Sequence, residues 1–116
     1  MNILVADPDP EEQRLLSEYL RQNNAPSSIT CFADPLLAVK FGANNLVDEL
    51  YTVAGMRRLS GFELAKMLRV FSPAVRLHFI ADTEQERTDA MRLMAESCIL
   101  RPVTENKLRS AENSRQ

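Results

Sequence analysis

The sequence lacks the long apolar run of a membrane span and has little excess of either charge. None of its apolar stretches approaches the ~20 residues needed to cross a bilayer. The net charge of -2 gives no basic character for binding nucleic acid or an anionic membrane. Met1-Asn2 runs directly into the apolar Ile3–Ala6, which is too short for a secretory leader and has no basic start. We therefore expect a soluble cytoplasmic protein that binds neither membrane nor nucleic acid directly.

Cysteine and histidine are also scarce, with two cysteines and one histidine among 116 residues. Cys31 and Cys98 each lie in a short apolar run, which favours buried reduced thiols. His78 has no second metal ligand at a useful spacing, which predicts a packed or edge-exposed histidine. These residues predict neither a disulfide nor a metal centre.

What the sequence does contain is a set of short apolar runs of strand length. The hydrophobic content of 45% suits one domain over residues 1–116 with a core of its own. Several runs are apolar without alternation, which is typical of parallel strands covered on both faces. The five predicted strands are Ile3–Ala6, Ile29–Phe32, Leu50–Val53, Leu77–Ile80 and Cys98–Leu100.

A helix-start signal follows each predicted strand. These signals are Asp9-Pro10, Asp34-Pro35, the capping-box spacings Ser60–Glu63 and Thr83–Glu86, and Thr104-Glu105. Strand and helix alternating five times predict an α/β fold with parallel strands, right-handed crossovers and helices on both faces of the sheet. In such sheets the functional crevice lies outside the carboxyl ends of the strands.

Helical periodicity behind the caps predicts which side chains face the core. A first apolar stripe covers part of the first helix, and a second covers the third helix. The two stripes comprise Leu15, Leu16, Tyr19 and Leu20, and Phe62, Leu64, Met67, Leu68 and Val70.

Three motifs together resemble a response-regulator receiver domain of two-component phosphorelay signalling. They are Ile3–Asp7, Ser60–Leu64 and the Arg101-Pro102 pair, within a likeness that runs from about residue 2 to 110. The resemblance implies a three-layer (βα)5 flavodoxin-like fold with strand order 2-1-3-4-5. It also implies a cis peptide bond between Arg101 and Pro102. Receivers bind Mg²⁺ and accept a phosphoryl group on an aspartate.

The positions that carry this chemistry in receivers are mostly replaced here. Valine can neither accept a phosphoryl group nor bind a metal, and it occupies the acceptor position as Val53, eight residues before Gly61. The resemblance thus implies a degenerate pocket, made of Asp7, Pro8, Asp9, Val53, Ile80, Ala81 and Arg101. We expect no cofactor, with Asp7 and Asp9 as weak candidates for Mg²⁺. The fork geometry of Arg101 favours a bidentate pair with Asp7.

The resemblance implies a non-enzymatic signalling module, a pseudo-receiver acting through phosphorylation-independent protein contact. Its expected interaction face is the fourth helix, fifth strand and fifth helix, with Arg87, Met91, Arg92 and Met94. That face would serve a protein partner, an output domain or a homodimer.

Two other functions remain open at this point. One is an active phosphotransfer receiver with a non-standard acceptor, for which Asp48, Thr52 and Ser60 are the nearby groups. The other is the N-terminal regulatory domain of a longer, DNA-binding transcriptional regulator.

Overall fold

Five strands and five helices alternate along the part of the chain that the computed structural model describes, residues 1–23 and 27–113. The strands are β1 (Asn2–Ala6), β2 (Ser28–Phe32), β3 (Glu49–Val53), β4 (Arg76–Ala81) and β5 (Ser97–Leu100). The helices are α1 (Pro10–Asn23), α2 (Pro35–Asn44), α3 (Gly61–Phe71), α4 (Glu84–Arg92) and α5 (Glu105–Asn113).

All neighbouring strands are parallel, and their order across the sheet is β2-β1-β3-β4-β5. The α/β fold, the five parallel strands and this order confirm the prediction. The register pairs Val53 with Ile80 and Ile80 with Ile99. Three apolar side chains therefore lie side by side near the carboxyl edge of the sheet.

Helices cover both faces of the sheet, which explains why the strands are apolar without alternation. One apolar cluster joins the sheet to α1 and α5 and includes Val5, Leu16 and Leu108. The other joins it to α2, α3 and α4 and includes Leu68 and Phe79. The two layers meet at the carboxyl ends of the strands.

The capping signals set where the helices begin. Ser60 and Glu63 form the predicted capping box, in which each side chain accepts the other's backbone N–H at 3.1 and 3.2 Å. At α4 only half of the predicted box is formed. Thr83 accepts the Glu86 N–H, but the Glu86 carboxylate accepts the N–H of Asp82 at 2.7 Å instead of that of Thr83. The loop before α4 is thereby tied to its first turn.

The predicted core stripe of α3 is wrong at two positions. Met67 is 43% exposed and Val70 is 75% exposed, whereas Leu64 and Leu68 are fully buried. At 100° per residue, Val70 lies about 240° around the helix from Leu64, so it faces away from the sheet. The buried stripe of α3 is narrower than the sequence pattern suggests.

His78 is packed inside a polar cluster that crosses three strands. Its Nε2 lies 2.8 Å from Glu49 Oε1 and its Nδ1 lies 2.8 Å from Ser97 Oγ. The ring of Tyr51 stacks on the imidazole at 4.2 Å between centroids. Of the two predicted placements, packed or edge-exposed, the packed one is found.

The two cysteines are free and half-buried, on the two edge strands β2 and β5. Burial raises the pKa of Cys98 to about 11 and also raises the pKa of Cys31, so both are thiols at neutral pH. The two thiols lie on opposite edges of the sheet, too far apart to form a disulfide with each other, and they are less buried than the sequence predicts. Among the described residues, no helix combines the length and apolarity needed to traverse a membrane.

We predict that Gly61→Ala lowers the free energy of unfolding by more than about 2 kcal/mol, measured by urea denaturation. Helix propensity alone would favour alanine by about 1 kcal/mol. However, a Cβ at position 61 would lie 2.1 Å from the backbone oxygen of Val53, and backbone cannot move aside cheaply. Gly55→Ala is the matched control, because its Cβ would meet only the Glu86 carboxylate, at 3.2 Å. Equal stability of the two variants would contradict the prediction.

Candidate functional site

A cleft of about 1010 Å³ lies at the carboxyl ends of the strands, between α1 and the segment after β5. Four of the residues predicted from the sequence line it, namely Pro8, Asp9, Val53 and Arg101. The other three are buried at the adjoining strand ends, namely Asp7, Ile80 and Ala81. The structure thus brings the predicted pocket residues to one edge of the sheet.

The floor of the cleft is apolar. Val53 is 2% exposed and belongs to the same apolar cluster as its neighbour Ile80. The backbone fixes this pair, because the N–H of Ala54 donates to the oxygen of Ile80 at 2.8 Å. Position 53, predicted from the sequence as the acceptor position, is therefore aliphatic.

The nearby oxygen groups considered as alternative acceptors all serve the fold. Thr52 Oγ1 donates to the backbone oxygen of Val53 at 3.1 Å and is fully buried. Ser60 Oγ caps α3. Asp48 precedes β3 at the amino ends of the strands, away from the cleft. Its Oδ2 accepts the N–H of Asn2 at 2.7 Å. None of the three faces the cleft.

Asp9 is a capping residue of α1. Its Oδ1 accepts the backbone N–H groups of Glu11 and Glu12, at 3.0 and 3.4 Å. Its own backbone N–H donates to Asp7 Oδ1 at 2.9 Å. The carboxylate of Asp9 therefore serves as the cap of α1.

Arg101 is the most heavily bonded side chain of the cleft. Its Nε and Nη2 donate to the Glu12 carboxylate at 3.0 and 2.9 Å, and its Nη1 donates to both Asp82 oxygens at 3.0 and 3.1 Å. The hydrogen bond to Glu12 contributes most to raising the pKa of Arg101 above its already high ordinary value. One guanidinium thus connects α1 with the loop before α4. The predicted cis Arg101-Pro102 bond is confirmed.

The predicted bidentate pair of Arg101 with Asp7 is wrong. Glu12, in the first turn of α1, takes the place expected for Asp7, and Asp82 takes the other side of the fork. Acids are common in the first turn of a helix for electrostatic reasons, so the position of Glu12 did not by itself indicate a site residue. Asp82 follows a predicted strand end, where site residues are expected, but it belongs to none of the motifs that mark the site.

Asp7 is a buried carboxyl whose second oxygen lacks a donor. It is fully buried, and among the described residues Oδ2 has no hydrogen-bond donor. Burial first, and then a hydrogen bond with Glu12, raise the pKa of Asp7 from 3.8 to about 8. Burial without a donor disfavours the ionised form of this carboxyl. At neutral pH Asp7 therefore favours its protonated form.

The side chains around the cleft do not suit Mg²⁺. This cation binds oxygen ligands in octahedral geometry, usually with more than one carboxylate or with substrate phosphates. Val53 supplies no oxygen, the Glu12 carboxylate is held by Arg101, and Asp7 favours its proton. Among the described residues, no group of three or more His, Cys, Asp or Glu side chains is placed to hold a metal ion.

The predicted interaction face is exposed at its methionines. Met91 is 46% exposed and Met94 is 81% exposed, and Met94 follows α4 with a positive φ of 60°. Arg87 and Arg92 make long ion pairs, both at 3.7 Å, with acids of α4 itself. Surface pairs of this kind hold their side chains weakly, so both cations are accessible to another molecule.

Solved structures of receiver domains share this fold. The response regulatory domain of protein mrkE from Klebsiella pneumoniae is 24% identical and has a TM-score of 0.82, over 99% of this chain and 98% of that one. Response regulator TrrA from Thermotoga maritima, in complex with Mg²⁺-BeF, is 20% identical, with a TM-score of 0.80 over 99% and 98%. A DNA-binding response regulator of the LuxR family from Staphylococcus aureus is 12% identical, with a TM-score of 0.79 over 98% and 97%. No family model and no curated protein sequence matches the chain.

We predict that Asp7 makes the stability of the protein depend on pH. Folded Asp7 keeps its proton up to about pH 8, whereas the unfolded carboxyl loses its proton near 3.8, so the free energy of unfolding falls as pH rises between these values. The contribution is fully present below the unfolded pKa and is lost as pH rises through the folded pKa. Asp7→Asn removes this titration and can still donate to Glu12. Relative to this variant, the wild type should lose more than about 1 kcal/mol between about pH 5 and about pH 8.

Urea denaturation across this pH range measures the effect. Asp9→Asn is the matched control, because asparagine keeps the capping oxygen and the exposed carboxylate is removed. Its profile should run parallel to that of the wild type. Parallel profiles for the wild type and Asp7→Asn would show that Asp7 is ionised in the folded state.

Proposed function

We propose that this protein is a pseudo-receiver: a cytoplasmic, non-enzymatic module of two-component signalling that acts by protein contact and does not take up a phosphoryl group. The observation that carries this proposal is the apolar floor at the strand ends, where Val53 and Ile80 occupy the positions of the acceptor aspartate and its hydroxyl partner. The fold shared with receiver domains supports a role in two-component signalling. The apolar floor of the cleft supports the absence of phosphoryl uptake.

The ion pairs of Arg101 support a fixed pocket. In a receiver, a lysine before the proline serves as a mobile point charge for the phosphoryl group. Arginine presents a rigid fork, and here both sides of that fork bind carboxylates of the protein itself. The cation is thus satisfied without an external anion, and a phosphoryl group would have to displace Glu12 or Asp82.

Protein contact through α4, β5 and α5 is the mode of action that the surface supports. Met91 and Met94 are exposed on this face beside two weakly held arginines. Methionine adapts its shape to different partners, and exposed methionines are common at binding surfaces. The occupant would be a signalling partner, an output domain or a second copy of the chain. The likeness to a DNA-binding regulator of the LuxR family favours an output domain as one such partner.

We predict that incubation with acetyl phosphate and Mg²⁺ adds no phosphoryl group. Intact-mass spectrometry before and after treatment measures this directly, and the expected result is an unchanged mass. The physical reason is that no described carboxylate is free and accessible at the floor of the cleft. A receiver domain with its acceptor aspartate, treated in the same solution, is the positive control. A labile gain of one phosphoryl group by this protein would refute the pseudo-receiver and favour a non-standard acceptor.

We also predict that Met91→Glu/Met94→Glu abolishes the partner contact. The double variant places two charges where apolar side chains would be desolvated, which leaves the fold intact and opposes docking. Pull-down of a tagged protein from its own cell extract, with partners identified by mass spectrometry, compares it with the wild type.

Leu37→Glu is the matched control, because Leu37 lies on α2 and is 49% exposed, close to the exposure of Met91. It should retain the partners that the double variant loses. The same partners in all three samples would rule out the α4, β5 and α5 face as the contact.

A further inference from the structure

Helix α5 is anchored to the sheet by less apolar burial than its neighbour α1. Of the side chains that the structure describes in α5, Leu108 alone is buried. Helix α1 packs on the same face of the sheet and buries Leu16, Tyr19 and Leu20. Since buried apolar area supplies most of the attraction between a helix and a sheet, α5 docks through one large anchor where α1 has three.

Polar side chains lie in the sheet beneath the second half of α5. Ala111 and Glu112 of α5 lie across a narrow space from Tyr51, His78 and Ser97. The last two of these are bonded to each other at 2.8 Å, as part of the polar cluster that crosses three strands. Beyond its one anchor, α5 thus covers groups that already contact one another, which adds little apolar burial.

One long-range hydrogen bond fastens this second half. The hydroxyl of Tyr19, on α1, donates to Glu112 Oε2 at 2.9 Å. Tyr19 is 3% exposed, so water is a poor substitute for this acceptor while the helix is docked. Burial first, and then the bond to Glu112, raise the pKa of Tyr19 to about 12, so the phenol keeps its proton and remains a donor.

The helix dipole opposes the position of Glu112. The carboxyl end of a helix carries partial negative charge, which repels an acid in the last turn. Among the described residues, the last turn of α5 contains no basic side chain that would offset this repulsion. Glu112 therefore weakens α5 as an isolated helix and stabilises its docked state through Tyr19.

The first turn of α5 is held by contacts of a different kind. Lys107 Nζ donates to the backbone oxygens of Leu100 and Pro102, both at 3.0 Å. Thr104 Oγ1 accepts the backbone N–H of Lys107 at 3.2 Å and caps the start of the helix. These contacts join α5 to the segment just before it, so they can persist while its far end leaves the sheet.

We propose that α5 is a releasable helix, which leaves the sheet as a unit while the strands stay folded, with the Tyr19–Glu112 hydrogen bond as its latch. A helix of nine residues is too short to be stable alone in water, so α5 unwinds when it is released. Regions with few buried contacts open locally in this way before the whole fold does. Since α5 forms part of the α4, β5 and α5 face, its release would reshape that face, and this consequence alone rests on the proposed function.

Hydrogen–deuterium exchange of the whole protein, measured by mass spectrometry, tests the release. In the wild type, the amides of α5 should exchange at least about tenfold faster than those of β3 and β4, at a rate that low urea concentrations hardly change. Val75→Ala alters the other apolar cluster, so it should accelerate exchange in the strands and leave α5 unchanged. Equal exchange rates for α5 and the strands, or equal acceleration of both by Val75→Ala, would show that α5 opens only with global unfolding and would overturn the proposal.

Substitutions at the latch test its role. Tyr19→Phe keeps the ring and removes the donor, and it should accelerate the exchange of α5 at least about tenfold. Glu112→Ala should also accelerate it, although this substitution relieves the repulsion by the helix dipole. The double variant should be no faster than the faster of the two single variants. Arg109→Gln is the matched control, because it removes only the surface pair with Glu105 and should leave the exchange of α5 unchanged.

Unchanged or slower exchange of α5 in Glu112→Ala would show that the dipole outweighs the contact with Tyr19, and it would overturn the latch. Equal acceleration by Arg109→Gln would overturn it as well, since the effect would then reflect a general weakening of the helix. The experiment measures release without any partner, so its failure would leave the proposed function standing. Conversely, uptake of a phosphoryl group would refute the proposed function without bearing on the exchange of α5.

Discussion

The guanidinium of Arg101 holds together the carboxyl ends of the strands and the two helical layers beside them. It leaves the end of β5 and binds one carboxylate from α1 and another from the loop before α4. Those two elements belong to opposite helical layers, so one side chain joins the layers above the strand ends. Glu12 accepts from two guanidinium nitrogens and is largely buried, which makes this pair stronger than the exposed pairs elsewhere on the surface.

Beneath this cation, the floor of the cleft is apolar, which does not suit phosphoryl chemistry. An acceptor site requires an ionised carboxylate, a metal and a movable cation close together. Here position 53 is aliphatic, burial favours the protonated form of Asp7, and the cation is bound at both sides of its fork. Each of these features alone would weaken such chemistry. Together they leave the charges of the cleft paired with one another.

The sequence specified the sheet well and the pocket only in part. Apolar runs and caps predicted every strand and helix, because local burial and local hydrogen bonding determine those elements. Pairings between distant side chains are not local, so the sequence does not reveal that Glu12 is a partner of Arg101. A periodic pattern predicts Val70 in the core, because it does not show how wide a strip of the helix the sheet will cover. Exposure of that kind is decided by the tertiary packing.

The polar cluster of Glu49, His78 and Ser97 has a consequence for how the strands align. These residues lie on β3, β4 and β5, and the imidazole contacts both neighbours within a mostly apolar layer. Side chains alternate between the faces of a strand, so sliding β4 by one residue would turn His78 to the other face. Glu49 and Ser97 would then lose this contact while remaining buried, which is costly. In a sheet of similar aliphatic strands, these polar contacts thus favour the observed register of β3, β4 and β5 over a shift of one residue.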